Sequence, residues 1–443
     1  MVEQLVNSAA RAFQSGRLEE AADLAGQALR YSEHGGNFAA LSILGSIEMR
    51  RGDFPRAKEF FTAATHCVPD SARADLAGNL CSANRECFDI SASIAWGRKS
   101  VSLEPSKAFF WLNLALSQTM AGELTEARQS ILNALILEPD YNDAHICLGH
   151  SLLRHGEYTA GFRELMYWKG KREEIKQRIP RFGMVEWNGM RFSRNGKLVV
   201  VCDEGLGDAI QYARWLPAAA DMCGCEIIVF GAPELSILAQ VDGVSRFCHT
   251  LEDAVRQGEG AWTRISMLPA LLPMPAEFSP WLPRPNVPAG SLNPSGFRVG
   301  LCWRGNPFPR NRSMPTDDVA WMVGQCEPTI DFVSLQHGVT TEERNAIGRM
   351  EIATLENLEA TARVIAGVDL VVSIDTVVAH LAGAMGGRGI VALSASNDWR
   401  WGLAKSGPAP CYPSLNMIRQ DTPGQWRSVA AAIADIINSS SMM

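Results

Sequence analysis

Asp203-Glu204-Gly205-Leu206-Gly207-Asp208 follows directly on an apolar run, and six consecutive residues here hold three carboxylates. A glycine turn after a strand ordinarily cradles phosphate. This one lacks the lysine and hydroxyl residue of G-x-x-x-x-G-K-[ST], and it does not complete G-x-G-x-x-G. Its carboxylates would repel a pyrophosphate but suit removal of a proton from an acceptor hydroxyl. Gly205 and Gly207 would let that acceptor come close to the backbone. Asp208 also stands where an acid caps the following helix, and the two roles are compatible.

Three further loops carry polar residues at the ends of strand-like runs. "CWRGNPFPRNRSMP" (302–315) offers Gly305 and Asn306, then Arg310 and Arg312 beside Ser313. Arginines next to a glycine turn suit a diphosphate, because a planar guanidinium donates two parallel hydrogen bonds. The alternative is a solvated basic loop. Gln336 ends "DFVSLQ" and is placed for a ribose or base contact. In "DLVVSIDTVVAHLAGAMGG" (369–387), Asp375 ends a strand and Thr376 opens a helix. The free N–H groups of that helix start favour an anion. Thr376 can add its hydroxyl to a phosphate oxygen, and Asp375 suits a sugar hydroxyl. His380, one turn further on, either reaches the cleft or serves the core.

The elements that would position these loops alternate. "KLVVVCDE", "CEIIVFG", "FRVGLCW", "IDFVSLQ", "DLVVSID" and "GIVALSAS" read as strands. "DAIQYARWLPAAADM" and "APELSILAQV" read as helices. Such alternation predicts parallel sheets with crossover helices. The Pro-rich stretch 277–296 divides them into two doubly wound domains, with ligands expected at the strand carboxyl ends in the cleft.

The first part of the chain repeats. Gly52, Ala57, Ala64 and Pro69 stand at offsets 0, 5, 12 and 17, and Gly122, Ala127, Ala134 and Pro139 repeat them. Pro105 then implies an intervening unit whose glycine position is Phe88. "GRLEEA" (16–21) and "GEYTAG" (156–161) open a first and a last unit, five in all. Small residues let paired helices approach, and Gly lets the chain turn between them. Stacked pairs then form a solenoid. The pattern resembles the tetratricopeptide repeat. Asn7, Asn79 and Asn113 stand nine residues before the glycine position, where Ile43 and Cys147 occupy the other units. A ladder of amides there would hold an extended peptide by its main chain, each amide offering donor and acceptor. The plainer alternative is asparagine recurring on a solvated helix. Residues 162–195 leave the pattern, with Trp168, Lys171 and Arg172 closing the last helix pair. The expected domains are 1–172, helical repeats; 173–290, a Rossmann-like domain carrying the carboxylate loop; and 291–443, a second Rossmann-like domain carrying the anion-binding loops.

Composition narrows the classes. A chain of 443 residues, 47% hydrophobic and 20% charged, reads as globular and as more than one domain. A net charge of −7 argues against a nucleic-acid partner. The 11 cysteines show no C-x-x-C pair, so reduced thiols and a cytoplasmic setting are expected. Residues 1–21 lack the apolar core of a signal peptide, and no run reaches the roughly 18 apolar residues of a membrane span.

"DEGLGDAIQYARWLP", "VGLCWRGNP", "RNRSMP", "FVSLQ", "DTVVAHLAGAMG" and "DWRWGL", in this order, resemble the bacterial heptosyltransferase-like (family 9-like) glycosyltransferases of GT-B fold, above all the branch fused behind tetratricopeptide repeats. The resemblance implies an N-terminal α-solenoid followed by two Rossmann-like doubly wound domains. It implies sugar transfer from a nucleotide-activated donor to a hydroxyl, with inversion and without a metal or other cofactor. Asp208 would be the base, Arg312 a donor-phosphate contact, and Asp375 and Thr376 donor contacts. Where that branch carries Glu-Gln before Gly-Leu-Gly-Asp, this chain carries Asp203-Glu204, so Glu204 competes with Asp208 for the base. Trp399 and Trp401 would line the cleft or pack in the core. The resemblance to the Asn-lined groove of O-GlcNAc transferases supports Asn7, Asn79 and Asn113 as a peptide groove. The expected acceptor is Ser or Thr of a recruited protein, with flagellin or another surface protein suggested by family association. The alternatives are a lipopolysaccharide or other glycan acceptor, and a non-catalytic scaffold. A homo-oligomer is compatible with the repeats.

Overall fold

Alanine spacing shapes the first unit. Ala57, Ala64, Ala127 and Ala134, the small positions of the repeat grid, are all buried. They let helix pack on helix at short range. The computed structural model describes residues 1–32, 36–170, 177, 180–192, 196–255, 260–275, 278–287, 296–306, 312–395 and 398–442, without the side chains of 167, 169 and 170. The chain divides into two compact units, Met1–Ser151 and Leu152–Met443.

In the first unit α1 (Val2–Gln14) pairs with α2 (Leu18–Arg30), α3 (Phe38–Arg51) with α4 (Phe54–Ala64), α5 (Arg73–Glu86) with α6 (Ile90–Leu103), and α7 (Ala108–Ala121) with α8 (Leu124–Leu137). α9 (Asn142–Arg154) runs across the boundary. Each pair turns on the left-handed residue the grid requires: Gly16, Gly52 and Gly122 have φ of 76°, 79° and 80°. Phe88 takes the same place with φ of 60°, and among the described residues it is the one non-glycine with positive φ. α10 (Tyr158–Gly170) belongs to the second unit. Its Phe162 meets Trp215 and Trp399 edge-on, at 5.6 and 5.2 Å between ring centres. The compact first unit thus ends before the repeat pattern does.

The second unit holds two sheets. The first contains β1 (Val185–Glu186), β2 (Lys197–Val201), β3 (Glu226–Phe230), β4 (Val244–Cys248) and β5 (Gly260–Arg264) in the order β1-β5-β2-β3-β4, all pairs parallel. The second contains β6 (Arg298–Cys302), β7 (Asp331–Ser334), β8 (Glu351–Ile352), β9 (Leu370–Ile374), β10 (Gly389–Leu393), β11 (Ser406–Ala409) and β12 (Tyr412–Arg419). Its order is β11-β12-β10-β9-β6-β7-β8, parallel except for the β11–β12 pair. Strand order reverses between β2 and β5 in one sheet and between β6 and β9 in the other. Such reversals open a crevice at the strand carboxyl ends. Helical repeats followed by two Rossmann-like layers are the architecture expected from the sequence.

The crossover segments are α11 (Leu206–Tyr212), α12 (Leu216–Cys223), α13 (Leu251–Val255), α14 (Leu268–Leu271), α15 (Thr316–Gln325), α16 (Thr341–Ile347), α17 (Leu358–Ala366), α18 (Val377–Ala384) and α19 (Arg427–Ser441). Two differ from expectation. The helix expected from Asp208 breaks into α11, a 3₁₀ turn at Ala213–Trp215, and α12. Pro217, in the first turn of α12, has no N–H to give the preceding turn. The helix expected over residues 232–241 winds as 3₁₀ over Pro233–Gln240. There Leu235 and Leu238 bury together, and a spacing of three places them on one edge of such a winding. Within the linker, Trp281 donates its backbone N–H to Ala384 O (3.0 Å) and its indole N–H to Ile210 O (3.0 Å), joining the two layers. No helix among the described residues is long and apolar enough to cross a membrane.

Candidate active site

A cavity of about 820 Å³ opens at the carboxyl ends of the strands. That lies within the range typical of small-molecule sites. The loop after β2 supplies Gly205, the first turn of α11 supplies Gly207 and Asp208, so that Gly205 and not Asp208 is the N-cap residue, and the loop after β6 supplies Gly305, Asn306 and Arg312. Gln336 follows β7, and Asp375, Thr376 and His380 follow β9. All ten of these residues were expected from the sequence, and they line one space.

The three carboxylates of the first loop are handled differently. Arg264, the last residue of β5, sits beside Val201 of β2 in the register. Its Nε donates to Asp203 Oδ2 at 2.8 Å and its Nη2 to Glu204 Oε1 at 2.7 Å. The side chains of Arg264, Asp203 and Glu204 are only 3%, 6% and 12% exposed. Burial pushes the Asp203 carboxyl up in pKa, and Arg264 beside it pulls back. Glu204 does not line the cavity; this clamp takes it instead. Asp208 does line it, with its side chain 30% exposed, and it pairs with Arg400 Nη2.

The facing wall is cationic and rich in donors. Arg312 approaches Asp375 Oδ2 at only 4.0 Å, and its Nε is buried without a hydrogen-bond partner among the described residues. Thr376 is the N-cap residue of α18, and its hydroxyl lies 3.0 Å from Ser373 Oγ. Burial, and then the charge of Asp398, push the Asp375 carboxyl up in pKa. Gly305 N–H donates to Ser313 Oγ (3.2 Å), next to Arg312 in the chain. Gln336 is pinned: its Oε1 accepts the N–H groups of Trp303 (3.2 Å) and Arg304 (2.8 Å). Its amide oxygen therefore holds the glycine loop in place. Arg310, Lys171 and Arg172 lie outside the described residues.

His380 joins the two walls. Its Nδ1 is 2.6 Å from Tyr412 Oη, and its ring stacks on Trp401 at 5.6 Å between centres. Burial, then the nearby Arg400, hold it well below the ordinary histidine pKa, so it is neutral. Its contact with Asp375 at 3.7 Å is therefore no ion pair. Trp399 and Trp401 are 4% and 0% exposed, and they pack in the core.

The sequence reading missed Arg400, Arg264, Tyr412 and the edge formed by Glu234, Glu356, Asn357 and Thr361. Arg400 stood in the quoted "DWRWGL", between two tryptophans whose bulk is the stronger signal. Arg264 ends the short strand "GAWTR", which has no alternation to signal it. Asn357 caps α17 by accepting Ala360 N–H at 2.8 Å, a signal readable before "LEATARVIA". Ser236 Oγ donates to Glu359 Oε1 at 2.6 Å and braces the cleft edge.

In the first unit Asn7, Asn79 and Asn113 fall on α1, α5 and α7, each the first helix of its pair. Asn7 is exposed and Asn79 half-buried. Asn113 is buried; its Oδ1 accepts from Arg85 Nη1 at 3.5 Å, and its Nδ2 has no partner among the described residues.

Several known proteins are similar to this chain or to a part of it. Protein FlbA of Caulobacter vibrioides is 23% identical over 475 residues, spanning 88% of this chain and 77% of that protein. Among solved structures, YrrB, a TPR protein with an unusual peptide-binding site, is 15% identical with a TM-score of 0.32, covering 38% of this chain and 86% of its own. MamA from Desulfovibrio magneticus RS-1 is 19% identical with a TM-score of 0.35, covering 39% of this chain and 97% of its own. Residues 8–72 match the tetratricopeptide repeat family, and residues 334–424 match Glycosyltransferase family 9 (heptosyltransferase). The stretch that matches the glycosyltransferase family 9 model spans Gln336, Asp375, Thr376, His380 and Arg400.

Proposed function

We propose that this protein moves a sugar from a nucleotide-activated donor to a hydroxyl group, and that the hydroxyl belongs to a Ser or Thr of a polypeptide recruited by the repeats. One observation carries the reading: the Asp208 carboxylate and the Arg312 guanidinium line the same cavity, at the strand reversals of two sheets. Asp208 takes the acceptor proton as the acceptor oxygen bonds to the anomeric carbon. The bond from that carbon to the diphosphate breaks on the opposite side, so the centre inverts. The nucleoside diphosphate leaves with its electron pair. Its growing charge is met by Arg312, whose Nε awaits a partner, and by the N-terminus of α18 at Thr376. This assignment needs no metal. Asp208 is preferred to Glu204 because Arg264 already holds Glu204 away from the cavity.

The acceptor assignment rests on the repeats, with the exposed Asn7 and the half-buried Asn79 on the first helices of their pairs; Asn113 is buried and is not offered to a peptide. Surface proteins such as flagellin, modified in the cytoplasm before export, are the acceptors this reading favours. Intact-mass analysis of surface proteins from cells with and without the gene tests it. One protein should lose a sugar mass. A change confined to lipopolysaccharide would refute the protein acceptor. With purified protein, Asp208→Asn should lower transfer roughly 10²–10⁴-fold while donor binding persists. Full turnover by that variant would remove Asp208 from the role.

A further inference from the structure

Of the three arginines that line the cavity, Arg304 is paired with Glu343, and the other two stand in opposite circumstances. Arg312 reaches one carboxylate at 4.0 Å and leaves Nε unpartnered among the described residues. Arg400 is engaged at all three of its nitrogens. Its Nε donates to Gln211 Oε1, its Nη2 to Asp208 Oδ1, and its Nη1 pairs with Asp398 Oδ1 at 2.7 Å. Burial opposes its charge, but Asp398 and Asp208 outweigh that and hold its pKa well above the ordinary arginine value. Three of its five N–H donors, one on each nitrogen, are thus committed to this chain's own oxygens.

Its supports are drawn from separate elements. Gln211 and Asp208 stand on one side of α11, three residues apart. Asp398 caps the 3₁₀ turn that carries Arg400, accepting Arg400 N–H at 3.2 Å. Trp399 and Trp401, on either side, are buried and fix that turn. Arg400, which follows β10 of the second sheet in the chain, thus pairs with a carboxylate on α11, which follows β2 of the first.

We propose that Arg400 is a positioning residue: by occupying Asp208 Oδ1 it fixes the carboxylate and leaves Oδ2 to receive the acceptor proton, while Arg312 serves the donor phosphates. The inference rests on the reading of Asp208 as the base. The two cationic side chains then have separate roles, since one orients the acceptor-side base and the other binds the leaving group.

The test uses the full chain, a panel of ADP-, GDP-, UDP- and CDP-sugars, and as acceptor the surface-protein extract of cells lacking the gene, reading release of the nucleoside diphosphate. Arg400→Gln should lower kcat roughly 10²-fold, the cost of a misplaced catalytic group, with donor KM unchanged within about twofold. In an Asp208→Asn background the same change should cost nothing further, since its target is already gone. Arg400→Lys keeps the charge beside Asp398 and should recover part of kcat, while melting curves confirm that each variant folds. Multiplicative losses in the double variant, or a donor KM that rises as it does in Arg312→Gln, would overturn the proposal and make Arg400 a phosphate ligand. A wild-type protein silent on every donor would instead overturn the transferase reading, and this inference with it.

Discussion

Adding one methyl group at Gly207 tests how the two walls of the cavity are held together. A Cβ there would lie 2.6 Å from His380 Cδ2 and 3.3 Å from its Nε2. Ordinary contact begins at 3.4 Å, so the groups must separate by about 0.8 Å. The imidazole cannot yield, because Tyr412 holds Nδ1 at 2.6 Å and Trp401 stacks on its face. α11 and α18 must move apart instead. Overpacking of this kind costs about 1–3 kcal/mol, a fall of roughly 2–9 °C in Tm. Asp208 is the next residue, so the base shifts away from the donor side, and a misplacement near 1 Å costs roughly 10²-fold in rate. Differential scanning fluorimetry and nucleotide release would read both effects. Truncating His380 to Ala in the same chain should return part of the lost stability. Helix propensity alone predicts the opposite sign, since Ala is favoured over Gly in a helix by about 1 kcal/mol. A Gly207→Ala variant that melts at or above the wild-type temperature and turns over normally would refute the close-approach argument.

Two other perturbations have definite signs. Phe88 holds a left-handed backbone (φ 60°) with its side chain 44% exposed, so Phe88→Gly should stabilise the first unit by about 0.5–1 kcal/mol, the strain relieved less the entropy glycine loses; urea unfolding reads this, and a destabilised variant would contradict it. His380 stays neutral in the folded protein, while the unfolded chain binds a proton below about pH 6.5. Its contribution is therefore intact above that pH, and stability falls below it by up to about 1.4 kcal/mol per pH unit. His380→Gln, which can still bond Tyr412, should flatten that acid-side slope in melting curves taken from pH 7 to 5, and an unchanged slope would count against a neutral buried imidazole.

Local chemistry decided much of this protein before any folding. The alanine and glycine grid follows from how closely two helices can approach and how a chain reverses. It placed the turn residues, including the left-handed Phe88, from spacing alone. The strand-end loops were legible because a glycine, acid or hydroxyl residue after an apolar run is a feature of neighbours in the chain. Partnership was not legible. Which of Asp203, Glu204 and Asp208 faces the cavity was decided by Arg264, 61 and 60 residues from the first two, and by Arg400, 192 residues from the third. Gln336 read from the sequence as a ribose or base contact, and the structure adds that its oxygen meets the N–H groups of Trp303 and Arg304. Periodicity and turn preference act over a few residues and leave their mark in order and spacing. Charge pairing and desolvation act through space, so only strand order, register and the crossing of α11 with α18 settle which carboxylates are neutralised and which one is presented to a ligand.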